Sequence, residues 1–349
     1  MIKDGLRFLL TIINRGLIPS SYVLRNAGVV ILFHSNSMRQ HRSLEGLGVC
    51  NSSPQRIMRF IADLKRHYRI LSFEELVNYA QAGKSLRGTA LITFDDGFKS
   101  VYQDLYRPLK ETRTPFIVFI NSSLSENRKL VWMQKLALIL QGRKFHELLD
   151  VLRTRGWPGC DRIAELDTPS FLDVRFPFIH FYDQRLYEDV FDAFLRGLGI
   201  SEEAEARGAE LYLSRDELWE MRDFCTLGNH THSHSNVANL TYDELDGELS
   251  RCNDFIRELE CNNGPIPFSV PFGPKYYLTS RVRKVTQKHC PFVFTAYGYG
   301  NFSGRQAQIR RFNGDDLRIN GIDDMRRRVT GIRDVRHYLY EWISIAAGK

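Results

Sequence analysis

No apolar run in this 349-residue chain approaches the ~20 residues that a membrane-spanning helix needs. The stretch Phe8-Leu9-Leu10-Thr11-Ile12-Ile13 is too short, and no small-residue cleavage site follows it. A transmembrane helix and a secretory leader are therefore not expected, and a cytoplasmic location is. Cysteine pairs are missing too. The six cysteines, Cys50, Cys160, Cys225, Cys252, Cys261 and Cys290, form no Cys-x-x-Cys spacing. That excludes a zinc ribbon and a dense disulfide framework, and leaves reduced thiols. The net charge of +7 is small for the surface that carries it, a weak pointer to an anionic partner. Arg326-Arg327-Arg328 has no interleaved aromatics and reads as a solvated helix face, so no nucleic-acid partner is expected.

What is present is an alternation of short apolar runs and helix starts. The strand runs are Val29–Phe33, Ala90–Phe94, Phe116–Ile120, Phe224–Leu227, Phe268–Val270, Phe292–Thr295 and Ile309–Phe312. Ser53 precedes Pro54 as a helix cap, and capping boxes stand at Ser72/Glu75, Ser214/Glu217 and Thr241/Glu244. Nearly continuous apolar strands, each followed by a helix, imply an α/β protein with a parallel sheet covered on both faces. The sheet is expected to close into a distorted (β/α) barrel of about seven strands. The rhythm breaks at about 124–213, where Leu136 to Leu152 and Leu186 to Leu198 read as helices. This stretch is expected to be a mostly helical insertion within a domain spanning 29–349. Residues 1–28, with Lys3, Arg7, Arg15 and Arg25, read as a helical segment that packs on the body or lies on a membrane surface.

Two clusters carry chemistry. Asp95 and Asp96 follow a strand directly, with Gly97 permitting a sharp turn at the end where β/α barrels place catalytic groups. Adjacent carboxylates repel unless a cation or proton intervenes, so one suits a metal and the other a base. The second cluster, Asn229-His230-Thr231-His232-Ser233-His234, also follows a strand. A helical turn would put His230 and His234 on one side with His232 facing away, whereas an extended segment would align all three. Two imidazoles and a carboxylate bind a divalent ion and leave positions open for water and substrate.

Thr93-Phe94-Asp95-Asp96-Gly97 resembles the first motif of the polysaccharide deacetylases, the NodB-homology group or carbohydrate esterase family 4. His230-Thr231-His232-Ser233-His234 is similar to their second motif, and Phe268-Ser269-Val270-Pro271-Phe272-Gly273 to their third. Ser269 stands where many members carry arginine. The family's C-terminal Leu-x-His is missing from Trp342-Ile343-Ser344-Ile345-Ala346, while Leu32-Phe33-His34 ends the first strand. That order resembles the permuted poly-N-acetylglucosamine deacetylase type. The resemblance covers roughly Val29 to Leu124 and Leu213 to Phe312.

It implies the NodB-homology fold and a metal-dependent N-deacetylase acting on an N-acetylated glycan or a lipid-linked sugar. Asp95 is then the base, and Asp96, His230 and His234 hold one divalent metal, zinc ahead of cobalt, nickel or manganese. His34 protonates the departing amine. The backbone N–H of Phe272, after Pro271, is the second oxyanion donor, and Arg310 or Arg311 replaces the missing arginine beside Asp95. Two rival readings share these residues: a metal-dependent phosphodiesterase or phosphatase, and a glycan-binding relative without activity.

Overall fold

The computed structural model describes residues 27–34, 52–260, 264–273, 277–296, 301, 308–315 and 325. The expected N-terminal helix, apart from Ala27 and Gly28, lies outside these residues together with its membrane contact, Cys50, Cys261, the Arg326-Arg327-Arg328 run and the C-terminal Trp342–Ala346 stretch.

Nine parallel strands form one sheet: β1 (Val29–Phe33), β2 (Arg69–Ile70), β3 (Thr89–Phe94), β4 (Phe116–Ile120), β5 (Cys225–Asn229), β6 (Phe268–Ser269), β7 (Val293–Thr295), β8 (Gln308–Arg310) and β9 (Phe312–Asn313). Their order is β8-β7-β6-β5-β4-β3-β1-β9, with β2 beside β3. β1, β3 and β4 are buried along their whole length, as strands covered on both faces must be.

β8 and β9 are two halves of one segment, interrupted at Arg311. The first half pairs with β7, Arg310 opposite Thr295, and the second with β1, Phe312 opposite Ile31. This segment therefore carries the sheet back to its beginning. Counting it once, the ring holds the seven strands expected, but the last strand is not continuous from Ile309 to Phe312.

The two-residue period of each strand sorts its side chains. Val29, Ile31, Phe33, Ile92, Phe94 and Val118 pack with the helix side chains Ile57, Phe60 and Leu64 in an outer core. Val30, Leu91, Ile117, Phe119, Phe294 and Ile309 form a second cluster inside. Phe119 of β4 and Phe294 of β7 meet across that interior at 5.2 Å between ring centroids.

Local signals set the helix starts. α1 (Pro54–His67) begins where Ser53 Oγ accepts from the Arg56 N–H, and α2 (Phe73–Gln81) begins at the Ser72/Glu75 capping box. Val101, Leu105 and Leu109, four residues apart, are all buried. The helix they define opens with a π turn, Val101–Tyr106, and continues as α3 (Arg107–Glu111).

Between β4 and β5 lie α4 (Trp132–Gln141), α5 (Phe145–Thr154), α6 (Phe171–Phe181), α7 (Gln184–Gly197) and α8 (Glu202–Ala209), packed around a core of their own. The helix expected from Leu136 to Leu152 is two helices. α4 ends at Gly142, and Arg143 at φ 56° turns the chain before α5. Lys135 is buried in α4, its Nζ 2.7 Å from Asp192, 3.2 Å from Glu202 and 3.3 Å from Glu188. A buried ammonium requires such partners, and these tie α4 to α7 and to the start of α8. The insertion meets the barrel through Phe98 stacked on Tyr212 and through Trp132 against Phe272.

The remaining helices are α9 (Arg215–Met221) and α10 (Tyr242–Glu258), each opened by its expected capping box, and α11 (Ser280–His289), capped by Thr279. Cys160, Cys225, Cys252 and Cys290 are buried free thiols. Among the described residues, no helix is long and apolar enough to cross a membrane.

Candidate metal centre

Asp95 and Asp96 leave the end of β3 in opposite directions. The Asp95 N–H donates to Phe33 O at 2.9 Å, continuing the ladder, whereas Asp96 turns into the left-handed region at φ 69°, followed by Gly97 at φ 65°. A non-glycine residue there costs ~1–3 kcal/mol and persists only where its surroundings dictate it. The turn separates the two carboxylates.

The histidine cluster leaves β5 in neither of the forms considered from sequence. Thr231 at φ 67° and His234 at φ 59° break it into tight turns. Thr231 is β-branched, so this backbone is strained, and two asparagines hold it. Asn229 Oδ1 accepts from the Thr231 N–H at 2.8 Å, and Asn121 Nδ2 donates to the carbonyls of His230 and Thr231. His230 and His234 are thereby brought to Asp96. His232 faces another way, its Nδ1 2.8 Å from Ser122 Oγ.

The donor atoms of Asp96, His230 and His234 all lie within 4.8 Å of one another, and all three side chains are buried. Each Nε2 is 3.2 Å from Asp96 Oδ1, yet that oxygen has no properly oriented hydrogen-bond partner among the described residues. His230 Nδ1 donates to Ser269 O at 2.8 Å, which turns the lone pair of Nε2 toward Asp96. Burial pushes the His234 imidazole down in pKa, outweighing Asp96 and favouring the neutral form a metal ligand needs. Burial opposes charge on Asp96 as well, but the imidazoles, His234 foremost, hold it well below the ordinary carboxylate range. An ionised carboxylate and two imidazoles converging on one point fit a divalent cation.

Asp95 is held differently. Arg311 Nη1 donates to its Oδ1 at 2.6 Å and Arg311 Nη2 to its Oδ2 at 2.8 Å, a two-pronged pair. Ser269 Oγ donates to Oδ2 at 3.0 Å and accepts from Arg311 Nη2 at 2.7 Å. Arg311 is fully buried and lies over the Phe119 ring at 5.3 Å. Burial would raise the Asp95 carboxyl, but the Arg311 guanidinium keeps it below its usual value. Of the two arginines expected beside Asp95, Arg311 fills that place. Arg310 is the last residue of β8, with its N–H and carbonyl bonded to the Asn301 side chain.

His34 ends the first strand with a partner that sequence reasoning missed. Asp315 Oδ2 accepts from His34 Nδ1 at 2.8 Å and from the His34 backbone N–H at 3.0 Å. Burial disfavours the imidazolium, but the hydrogen bond and charge of Asp315, aided by Asp96 and Asp95, push its pKa up to about 9. Asp315 itself is raised by burial, against the pull of His34. The only sequence signal for it was an acidic residue just past the last strand.

Pro271 is buried, and Phe272, at φ 59°, packs edge-on against His234 with ring centroids 4.7 Å apart. Gly273 is required at φ 75°, since a Cβ there would lie 2.0 Å from the Cβ of Ala296.

Residues 196–303 match the family model described as polysaccharide deacetylase. IcaB from Ammonifex degensii shares the fold at a TM-score of 0.53 and 16% identity, over 87% of this chain and 96% of that one. Streptococcus pyogenes deacetylase PplD, solved in complex with acetate, aligns at 0.52 and 11% identity over 84% and 95%. A de-N-acetylase from Aggregatibacter actinomycetemcomitans aligns at 0.52 and 11% identity over 85% and 99%. No curated protein matches the chain by sequence. The likeness first drawn from three short motifs thus extends to a family model and to the fold.

Proposed function

We infer that this chain, a NodB-homology polysaccharide deacetylase by motif, family model and fold, is a hydrolase that removes the acetyl group from an N-acetylhexosamine-containing glycan in a metal-dependent reaction. One observation carries the reading: the carboxylate of Asp96 and the imidazoles of His230 and His234 converge beside a second, independently held carboxylate, Asp95. Two imidazoles and one carboxylate are a set that zinc takes while keeping positions open, and zinc is the proposed ion.

Asp96, His230 and His234 would hold a divalent ion, which would polarise the acetyl carbonyl and make a nearby water more acidic. Asp95 takes the proton of the attacking water. Its pairing with Arg311 and Ser269 fixes the carboxylate in place and keeps it ionised, ready to accept. The backbone N–H of Phe272 supports the negative charge that grows on the carbonyl oxygen. His34, kept protonated at neutral pH by Asp315, delivers a proton to the departing amine.

Among the described residues there is a single cluster of metal-binding side chains, which speaks against the two-metal phosphodiesterase alternative. The assembled base and acid speak against an inactive binding relative. The test is acetate release from a panel of N-acetylhexosamine oligosaccharides, with metal analysis of the same sample. Release that stops on chelation and returns with one equivalent of zinc supports the reading. Glycan binding without acetate, or phosphodiester cleavage with two metals per chain, overturns it.

A further inference from the structure

The two metal-binding imidazoles are held by different means. The His230 ring is aimed through its far nitrogen, Nδ1, which donates to Ser269 O. His234 Nδ1 is buried and has no hydrogen-bond partner among the described residues. A histidine ligand is ordinarily oriented by the hydrogen bond of its second nitrogen. His234 is oriented instead by its backbone and by the Phe272 ring packed against it. That backbone is left-handed at φ 59°, a conformation that persists only where its surroundings dictate it.

The bonds that dictate it are made by the residues on either side. The Ser233 N–H donates to Glu248 Oε2 of α10 at 2.8 Å. The Ser233 and Ser235 hydroxyls lie 2.7 Å apart, and Ser235 Oγ donates to Gln184 Oε1 at 3.2 Å. Gln184 is the first residue of α7, in the helical insertion. Its Nε2 donates to Glu188 Oε2 at 2.8 Å, and Lys135 Nζ donates to Glu188 Oε1 at 3.3 Å. One proton order serves the whole row: Ser233 to Ser235, Ser235 to Gln184, Gln184 to Glu188. The buried ammonium of α4 thus fixes a carboxylate, the carboxylate fixes the amide, and the amide presents its oxygen to the metal loop. Farther along that loop, Arg185 Nη2 donates to Asn239 O at 2.8 Å and Asn239 Nδ2 to Tyr182 O at 3.3 Å. The start of α7 therefore grips the segment after His234 at two points.

We propose that Gln184 is a positioning residue for His234, so that the helical insertion sets the affinity of the metal centre through the row Lys135–Glu188–Gln184–Ser235. The proposal rests on the metal-dependent reading above. It gives the insertion a part in metal binding that the metal-site motifs do not encode. Linkage makes the effect mutual, and an ion bound by His234 steadies the start of α7 in return.

The experiment titrates zinc-loaded protein with a chromophoric chelator, which reads metal affinity without turnover. Gln184→Glu sets a second carboxylate against Glu188 and should weaken zinc binding ~10-fold, the lower end of the loss expected when a residue behind a ligand is changed. Combining Gln184→Glu with Glu188→Gln exchanges the two groups and again sets a donor against an acceptor, so affinity should return to within ~2-fold of the unaltered protein. Cobalt in place of zinc should report the same order in its visible absorption, altered in the single variant and recovered in the exchanged one. Arg155→Ala, which breaks an exposed pair with Asp189 elsewhere in the insertion, should move neither readout. The proposal is overturned, with deacetylation left standing, if acetate is released but Gln184→Glu keeps full zinc affinity. An exchanged variant as weak as the single one, or an equal loss in Arg155→Ala, overturns it too. Affinities in the expected order, with no acetate released from any N-acetylated glycan, would uphold the row and sink the deacetylase reading. No zinc bound by the unaltered protein would sink both.

Discussion

On one flank of the site, the metal-binding side chains come from two short stretches, each at the end of a central strand. On the other flank, Asp95 is held by Arg311, 216 positions away, and His34 by Asp315, 281 positions away. The first flank is built from local turns whose strain is fixed by neighbouring asparagines. The second is built by closing the barrel, because Arg311 and Asp315 both belong to the segment that runs from β8 past β9. On the proposed reading, the contrast makes metal binding and proton transfer separable, a claim that substitutions can test. Substitutions on one flank should leave much of the other in place.

The strongest way to break that separation is at its seam. Asp95→Asn should lower turnover by ~10²–10⁴-fold, the usual worth of a general base, with one metal still bound. His230→Ala should lose both metal and turnover. Metal analysis beside acetate release distinguishes the two, and an Asp95→Asn protein that released its metal would merge the flanks into one unit.

Arg311→Met comes next. It strands a buried carboxylate, and breaking a buried pair in this way costs ~3–5 kcal/mol. Denaturant unfolding should show that loss, and adding Asp95→Asn to Arg311→Met should recover part of it, since the pair acts as one. Additive losses would show that Arg311 supports the barrel without answering to Asp95.

Asp315→Asn is expected to move a pH profile more than a rate. With His34 raised from 6.5 to about 9, activity that needs its protonated form is retained below that value and lost as pH rises through it. Removing the carboxylate should bring the alkaline limb of kcat/KM down toward 6.5. The stability contributed by the raised His34 imidazole follows the same sign, present below about 6.5 and lost as pH rises through about 9, and protonation of Asp315 in acid removes the pair from the other side. An unmoved limb would take His34 out of the acid role. The smallest effect belongs to Ser269→Ala, which removes one hydrogen bond from Asp95 and should cost ~1 kcal/mol, near fivefold in turnover.

The same contrast explains what could be read from the chain beforehand. Strands of continuous apolar residues, capping boxes and the Asp95-Asp96-Gly97 and His230–His234 clusters are local patterns. They put the metal ligands at strand ends without knowledge of which strands were neighbours. The pairing of Asp95 with Arg311 was narrowed to two arginines because both flank the last strand, and only the break between β8 and β9 decides between them. Asp315 was out of reach, because nothing local marks an acidic residue for a histidine at the far end of the sheet. His232 was ambiguous for a related reason: a helix and a strand are the forms that periodicity can weigh, and the chain adopts neither. The division of Leu136–Leu152 into two helices hinged on one left-handed residue, Arg143, which an apolar count does not register.

The segment Gln308–Asp315 is made after every other strand of the ring. During synthesis, a chain still short of it would already hold Asp96, His230 and His234, yet would lack the guanidinium and the carboxylate that ready Asp95 and His34. Chemistry would begin only once this segment has docked between β7 and β1.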